Sequence, residues 1–133
     1  MMHRVLRDQL KSDYQTIQEQ LARYCREFPE YDVHQMLKEV LLGECIMWAG
    51  EKSFLIGTPV DYHTQRKFLL ECAAGDLDEI LSTLPLIEEE VAMWGFPVLE
   101  ICGRLGWDKV MKGYGFHKQK VILSKTLGEC NGR

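Results

Sequence analysis

The chain has 133 residues, 46% of them hydrophobic, with 16 basic and 20 acidic residues and a formal net charge of −4. That length suits one domain whose core needs no disulfide or metal to hold it. The acidic balance excludes a broad electrostatic footprint for nucleic acid or an anionic membrane, and no window approaches the ~18 consecutive apolar residues of a membrane-crossing helix.

The start, Met1-Met2-His3-Arg4, reaches charge at once and lacks the apolar stretch of a signal peptide. Leu6, Leu10, Tyr14, Ile17, Leu21, Cys25 and Phe28 then recur at spacings of three and four, which predicts one helix ended by Pro29. Asp32 is a plausible N-cap for a second helix with Val33, Met36, Leu37, Val40 and Leu41 on its buried face, stopped at Gly43.

From Glu44 the period changes. Residues 45–48 and 53–60 read as adjacent antiparallel strands, with Pro59 confining the end of the second to an edge or bulge. Residues 66–72 make a third strand, and residues 76–94 carry helical spacing that Pro85 is expected to kink or split. A fourth strand over 97–102, a short helix over 105–113 and a final strand over 117–127 complete the order. The strand–helix–strand step implies a parallel pair at the sheet centre. The fold class is therefore α/β (α+β), a mixed central sheet flanked by helices. We expect a single domain over 1–133, with an N-terminal helix in 1–30 and the sheet-containing core in 44–127.

Cys25, Cys45, Cys72, Cys102 and Cys130 form no CxxC pair and are odd in number, which suits a reducing compartment and small buried hydrophobes, with Cys130 the most exposed. His3, His34, His63 and His117 have no ligand-like spacing, so no metal site is expected. Trp48, Trp94, Trp107, Phe96 and Tyr114 are expected mainly in the core.

The element order from Glu44, together with "LLECAAGDLDEIL", "LEICGRLGW" and "YGFHKQKVILSKTL", resembles the GNAT N-acetyltransferase fold, and more closely a group of small GNAT-like proteins of tailed phages and prophages. The likeness spans roughly the last 90 residues. It implies a pyrophosphate loop between the third strand and its helix, where family enzymes place an Arg or Gln and closely spaced glycines. Here the equivalent residues are Ala73, Ala74, Gly75 and Asp76, with one glycine and no basic residue. Asp76, Asp78 and Glu79 suit a capped helix start better than a phosphate site.

The resemblance also implies an Asn, an Ala and a Tyr able to protonate the departing thiolate, at positions that carry Arg104, Trp107 and Met111 here. Tyr114 lies nearby, as a core or rim aromatic or as a substitute acid. Glu71 and Glu100 are candidate general bases on strands that diverge around substrate in the family; the alternative for each is a solvated or ion-paired carboxylate. Arg104 is a candidate anion or carboxylate holder, the alternative being an ion pair with Glu100 or Asp108. Arg104 and Trp107 are expected beside the divergence of the fourth and fifth strands, with Trp107 filling the groove there as an interaction residue.

Two functions follow from the resemblance. The main expectation is a non-catalytic, virion-associated or assembly protein of a phage or prophage. It would lie in the host cytoplasm or the virion, act through phage structural or other protein partners, and bind no cofactor. The alternative is a CoA-dependent N-acetyltransferase with an atypical pyrophosphate loop, which would bind acetyl-CoA.

Overall fold

The first helical stretch breaks in two. In the computed structural model, which describes residues 2–128, a short strand β1 (His3–Arg4) precedes α1 (Arg7–Ser12) and α2 (Tyr14–Glu27). Asp13 stands between them, off helical geometry at φ −107° and ψ 18°, ending one helix and opening the next. Aspartate competes with its own backbone for hydrogen bonds and breaks a marginal helix readily. The interruption shifts the phase of the apolar series. Leu10, Ile17, Leu21 and Tyr24 are buried, while Leu6 and Tyr14 face solvent. Asp32 does cap α3 (Val33–Leu41), accepting the Gln35 N–H at 3.0 Å.

The sheet has five strands in the order β1-β2-β3-β4-β5, with β2 (Ile46–Ala49), β3 (Phe54–Asp61), β4 (Arg66–Ala74) and β5 (Leu99–Ile101). All neighbours are antiparallel except β4 and β5. One face carries Met47, Ala49, Phe54, Ile56 and Cys72 against Ile17, Leu21, Tyr24, Met36 and Leu37 of α2 and α3. By the two-residue alternation of strands, Trp48, Leu55, Phe68 and Leu70 turn to the other face. There Trp48 donates its indole N–H to Glu90 of α4 (Leu77–Met93) at 3.1 Å, and Trp48, Phe68, Trp94 and Phe96 make ring contacts of 5.4–6.3 Å. Trp94 keeps 37% exposure at the margin of that cluster, so the expectation of core aromatics holds fully for Trp48 alone of the tryptophans.

Pro59 sits as expected. Phe68 gives its N–H to Val98, so the Phe68–Pro59 pair exchanges no hydrogen bond and the proline nitrogen faces the side that β2 has already left. Pro85 does not split α4, which runs unbroken from Leu77 to Met93 and forgoes only the hydrogen bond that the Leu81 carbonyl would take from residue 85.

Two expectations are corrected. The parallel pair lies at the sheet's edge, because β5 is the last strand. Residues 117–127 form no strand, and Val121, Ile122, Leu123 and Leu127 are 62–89% exposed. An apolar, β-branched run becomes a strand only with a partner to complete its ladder and cover its face.

The chain divides into two units, Met1–Gly103 and Arg104–Arg133. In the second, α5 (Trp107–Met111) continues into a 3-10 turn (Lys112–Tyr114) closed by Gly115, and Lys118 pairs with Asp108 at 3.5 Å. Among the described cysteines Cys72 is buried, Cys25 and Cys45 are half-buried, and Cys102 is exposed. The expectation for Cys130 lies outside the described residues.

Candidate functional site

Strand β4 is where the sheet departs from regularity. Ile56 is opposite Cys72 and Gly57 opposite Leu70, so Glu71 is an extra residue with no Cα partner on β3. Such a bulge re-aims the side chains around it. Phe68 and Leu70 point to the α4 face, Cys72 to the α2–α3 face, and both Cys72 and Ala73 are buried in succession. Gly57, opposite Leu70 at the bulge, leaves room for the Phe68 ring: a Cβ there would stand 2.4 Å from it.

Glu71 accepts the Tyr31 O–H through Oε2 at 2.8 Å. Tyr31 belongs to the turn before α3 and packs on Tyr24, with ring centroids 5.5 Å apart. Burial and then the Glu71 carboxylate push the Tyr31 phenol well above its usual range. Burial and then the hydrogen bond with Cys72 do the same for Tyr24. The Cys72 thiol is pushed up to about 11 and that of Cys45 to about 12, burial being the main cause in both. The surroundings of Glu71 are thus proton-bearing and uncharged near neutrality.

Glu100 has a different setting. It pairs in register with Leu69 on β5, and its carboxylate is held at both oxygens, by Lys67 Nζ at 3.2 Å and by the Tyr62 O–H at 3.1 Å. The side chains of this ion pair are 19% and 16% exposed, so the pair is largely desolvated. Glu71 and Glu100 lie on adjacent strands in separate hydrogen-bond networks. Tyr114, in the 3-10 turn, is exposed, and Arg104 accepts the Trp107 N–H on its carbonyl at 3.1 Å; all three belong to the second unit. Residues 117–127 lie outside any strand, so the expected fifth strand beside Arg104 and Trp107 is not present among the described residues.

Past Leu70, β4 outruns β5. Pairing ends at Leu70–Ile101 and at the bond from the Cys102 N–H to the Leu70 carbonyl. No strand among the described residues pairs with Glu71–Ala74 on that side; Cys72 and Ala73 are buried there, and Glu71 and Ala74 are half-buried.

The helix start beyond this edge does not fit a pyrophosphate. Gly75, at φ +111°, is pressed against the β2–β3 turn: a Cβ there would lie 2.1 Å from the Lys52 carbonyl oxygen and 2.5 Å from Ser53 Cα. Asp76 caps α4, accepting the Asp78 N–H at 3.1 Å. The Glu79 carboxylate takes the Ser53 hydroxyl and the Lys52 N–H (3.3 Å), and Gln20 fixes the same turn from α2 through the Gly50 carbonyl at 2.9 Å. A phosphate within ~4 Å of each carboxylate here would meet a repulsion of about 1–4 kcal/mol. The capping residues come straight from the sequence. The part of the turn in occupying the site does not, and neither do Tyr31, Tyr62 and Lys67, which reach the two carboxylates from 33 to 40 positions away along the chain and leave no local signal.

The architecture is that of the GNAT acetyltransferases, a mixed five-stranded sheet flanked by helices. No protein-family model and no curated protein sequence matches the chain. Solved structures do. A probable acetyltransferase matches with a TM-score of 0.62 at 15% identity over 97% of both chains. A predicted acetyltransferase from Clostridium acetobutylicum, solved with acetyl-CoA, matches with 0.62 at 11% identity over 95% of this chain and 96% of its own. The aminoglycoside N-acetyltransferase AAC(6')-Iy, in complex with CoA, matches with 0.67 at 12% identity over 95% and 93%. These identities carry the fold alone. The main functional expectation is nevertheless corrected: these three structures are described as acetyltransferases, two of them solved with acetyl-CoA or CoA, and nothing in the matches supports a phage or virion origin, so the non-catalytic virion reading does not stand.

Proposed function

We propose that the chain is a CoA-dependent N-acetyltransferase with an atypical pyrophosphate loop, and that Glu71 takes the proton of the acceptor amine. The observation that carries this reading is the fold match over 95–97% of the chain to acetyltransferases, including ones solved with CoA and acetyl-CoA. Acetyl-CoA, when bound, supplies an acyl thioester. The stretch Glu71–Ala74 has no partner strand on the β5 side, and its half-buried ends, Glu71 and Ala74, are where an extended amide chain could approach β4, which supports a donor lying there.

An amine enters such a site as an ammonium and becomes a nucleophile only after losing a proton. Glu71 is suited to receive that proton, because the bulge sets it off the ladder and Tyr31 holds Oε2 in one orientation. Glu100 is the weaker base, since Lys67 and Tyr62 engage both of its oxygens. No step is assigned to the helix start.

The test is release of thiol from acetyl-CoA in the presence of a panel of primary amines, aminoglycosides among them. Amine-dependent release is expected, with kcat lowered about 10²-fold or more in Glu71→Gln while the unfolding midpoint stays within a few degrees of wild type. A donor at 100 times its Kd stabilises the fold by about 2.7 kcal/mol, about 10 °C in Tm for a chain of this length. No amine-dependent release, together with an unmoved Tm at millimolar acetyl-CoA, would overturn the proposal.

A further inference from the structure

We infer that this chain recognises its donor through the pantetheine thioester alone, the nucleotide end contributing nothing to binding. The inference rests on the transferase reading above and narrows its substrate class to acyl-pantetheine thioesters, whatever carries their phosphate end.

Three features of the same corner support it. A helix N-terminus next to a strand edge is the ordinary place for an anion, but here Asp76 has taken the Asp78 N–H. The space in front of the helix is filled by the chain itself: Gly75 lies so close to Lys52 and Ser53 that even a methyl group would collide with backbone. The Glu79 carboxylate covers Gly50, where an added Cβ would stand 2.6 Å from it, and it is held there by Ser53 and the Lys52 N–H. The third feature is charge. In residues 50–53 and 75–79 the acidic side chains are Glu51, Asp76, Asp78 and Glu79, and the sole basic one is Lys52. A pyrophosphate placed there loses more to repulsion than one lysine returns. The strand edge of Glu71–Ala74 suffers none of this. It ends before the acidic turn and has no partner strand on the β5 side, and the half-buried Glu71 and Ala74, on either side of the buried Cys72 and Ala73, give the two amides of pantetheine two points of approach.

Titration calorimetry of the whole chain with CoA and, separately, with pantetheine tests this directly. The expected result is two dissociation constants within about threefold of each other, with CoA binding no tighter as salt is lowered from about 0.5 M to 0.05 M. CoA binding about 30-fold or more tighter than pantetheine would overturn the inference and leave the transferase reading intact, as would CoA affinity that rises steeply at low salt while that of pantetheine does not. If neither compound binds at 5 mM, the donor site itself is absent, and the transferase reading falls together with the inference. Donor kinetics with acetyl-CoA and S-acetylpantetheine give the same comparison: kcat/KM within about threefold supports the inference, and a preference of about 30-fold for acetyl-CoA overturns it.

Discussion

Gly75→Ala places a methyl group 2.1 Å from the Lys52 carbonyl oxygen, 2.5 Å from Ser53 Cα and 2.6 Å from Ser53 Cβ, at a residue with φ +111°. Two costs add. A non-glycine residue at positive φ loses about 1–2 kcal/mol, and relieving overlap with backbone atoms in a packed turn costs a further ~1–3 kcal/mol. The neighbours cannot simply swing aside, since the turn is pinned by Gln20 on one side and by Glu79 on the other. The expected loss is therefore about 2–5 kcal/mol. With about 2.1 cal/mol/K of unfolding entropy per residue, that is roughly 7–18 °C in Tm. Gly95→Ala is the internal control: φ is +90° but nothing lies within 4 Å of the added Cβ, so only the backbone term applies, about 1–2 kcal/mol or ~4–7 °C. Thermal and urea unfolding followed by circular dichroism, without any ligand, measures both. A Gly75→Ala protein no less stable than Gly95→Ala would refute the claim that this glycine serves the chain's own turn.

Asp76→Ala should cost about 0.5–2 kcal/mol, and Asp76→Asn much less, because the side-chain oxygen that accepts the Asp78 N–H is retained in Asn; equal urea midpoints for wild type and Asp76→Ala would remove the cap from the account. Stability should also fall as the solution is made alkaline. The thiols of Cys72 and Cys45 ionise at about 11 and about 12 in the folded chain and near 9 when unfolded. Between pH 9 and pH 11 the unfolded state has therefore shed protons that the native state still holds, and the unfolding free energy drops as pH rises. The raised phenols of Tyr24 and Tyr31 act in the same direction at higher pH. Urea midpoints at pH 8 and pH 10.5 read the slope, which should become shallower in Cys72→Ala; a flat profile in the wild type would contradict the burial of these thiols.

Most elements were legible in the sequence because their signals are local. Asp32 and Asp76 announce helix starts through capping chemistry that needs only the next few residues, and the apolar runs within residues 53–60 and 66–72 mark strands whatever they pair with. What failed was what depends on a partner. The pattern over 117–127 is as strand-like as that of β3, yet it forms no strand, since β propensity is realised only where another strand supplies hydrogen bonds and another layer supplies cover. The unbroken passage of α4 through Pro85 is likewise settled by its packed face, Ile80, Leu84, Ile87 and Val91, rather than by propensity.

The candidate site shows the same division. Its carboxylates, the small residues that end β4 and the acidic helix start were all visible as residues. That Glu71 is a bulge residue held by Tyr31, that Glu100 is taken up by Lys67 and Tyr62, and that the β2–β3 turn occupies the front of α4 required the register of β3 on β4 and the approach of side chains far apart in the chain. The sequence by itself determined which helix and strand segments were available and where helices were capped, since those are short-range choices of backbone and side chain. Only the tertiary structure decided which carboxylate stands on a strand stretch without a partner on the β5 side and what packs at the helix start beside it, because both follow from contacts between segments that no local pattern encodes.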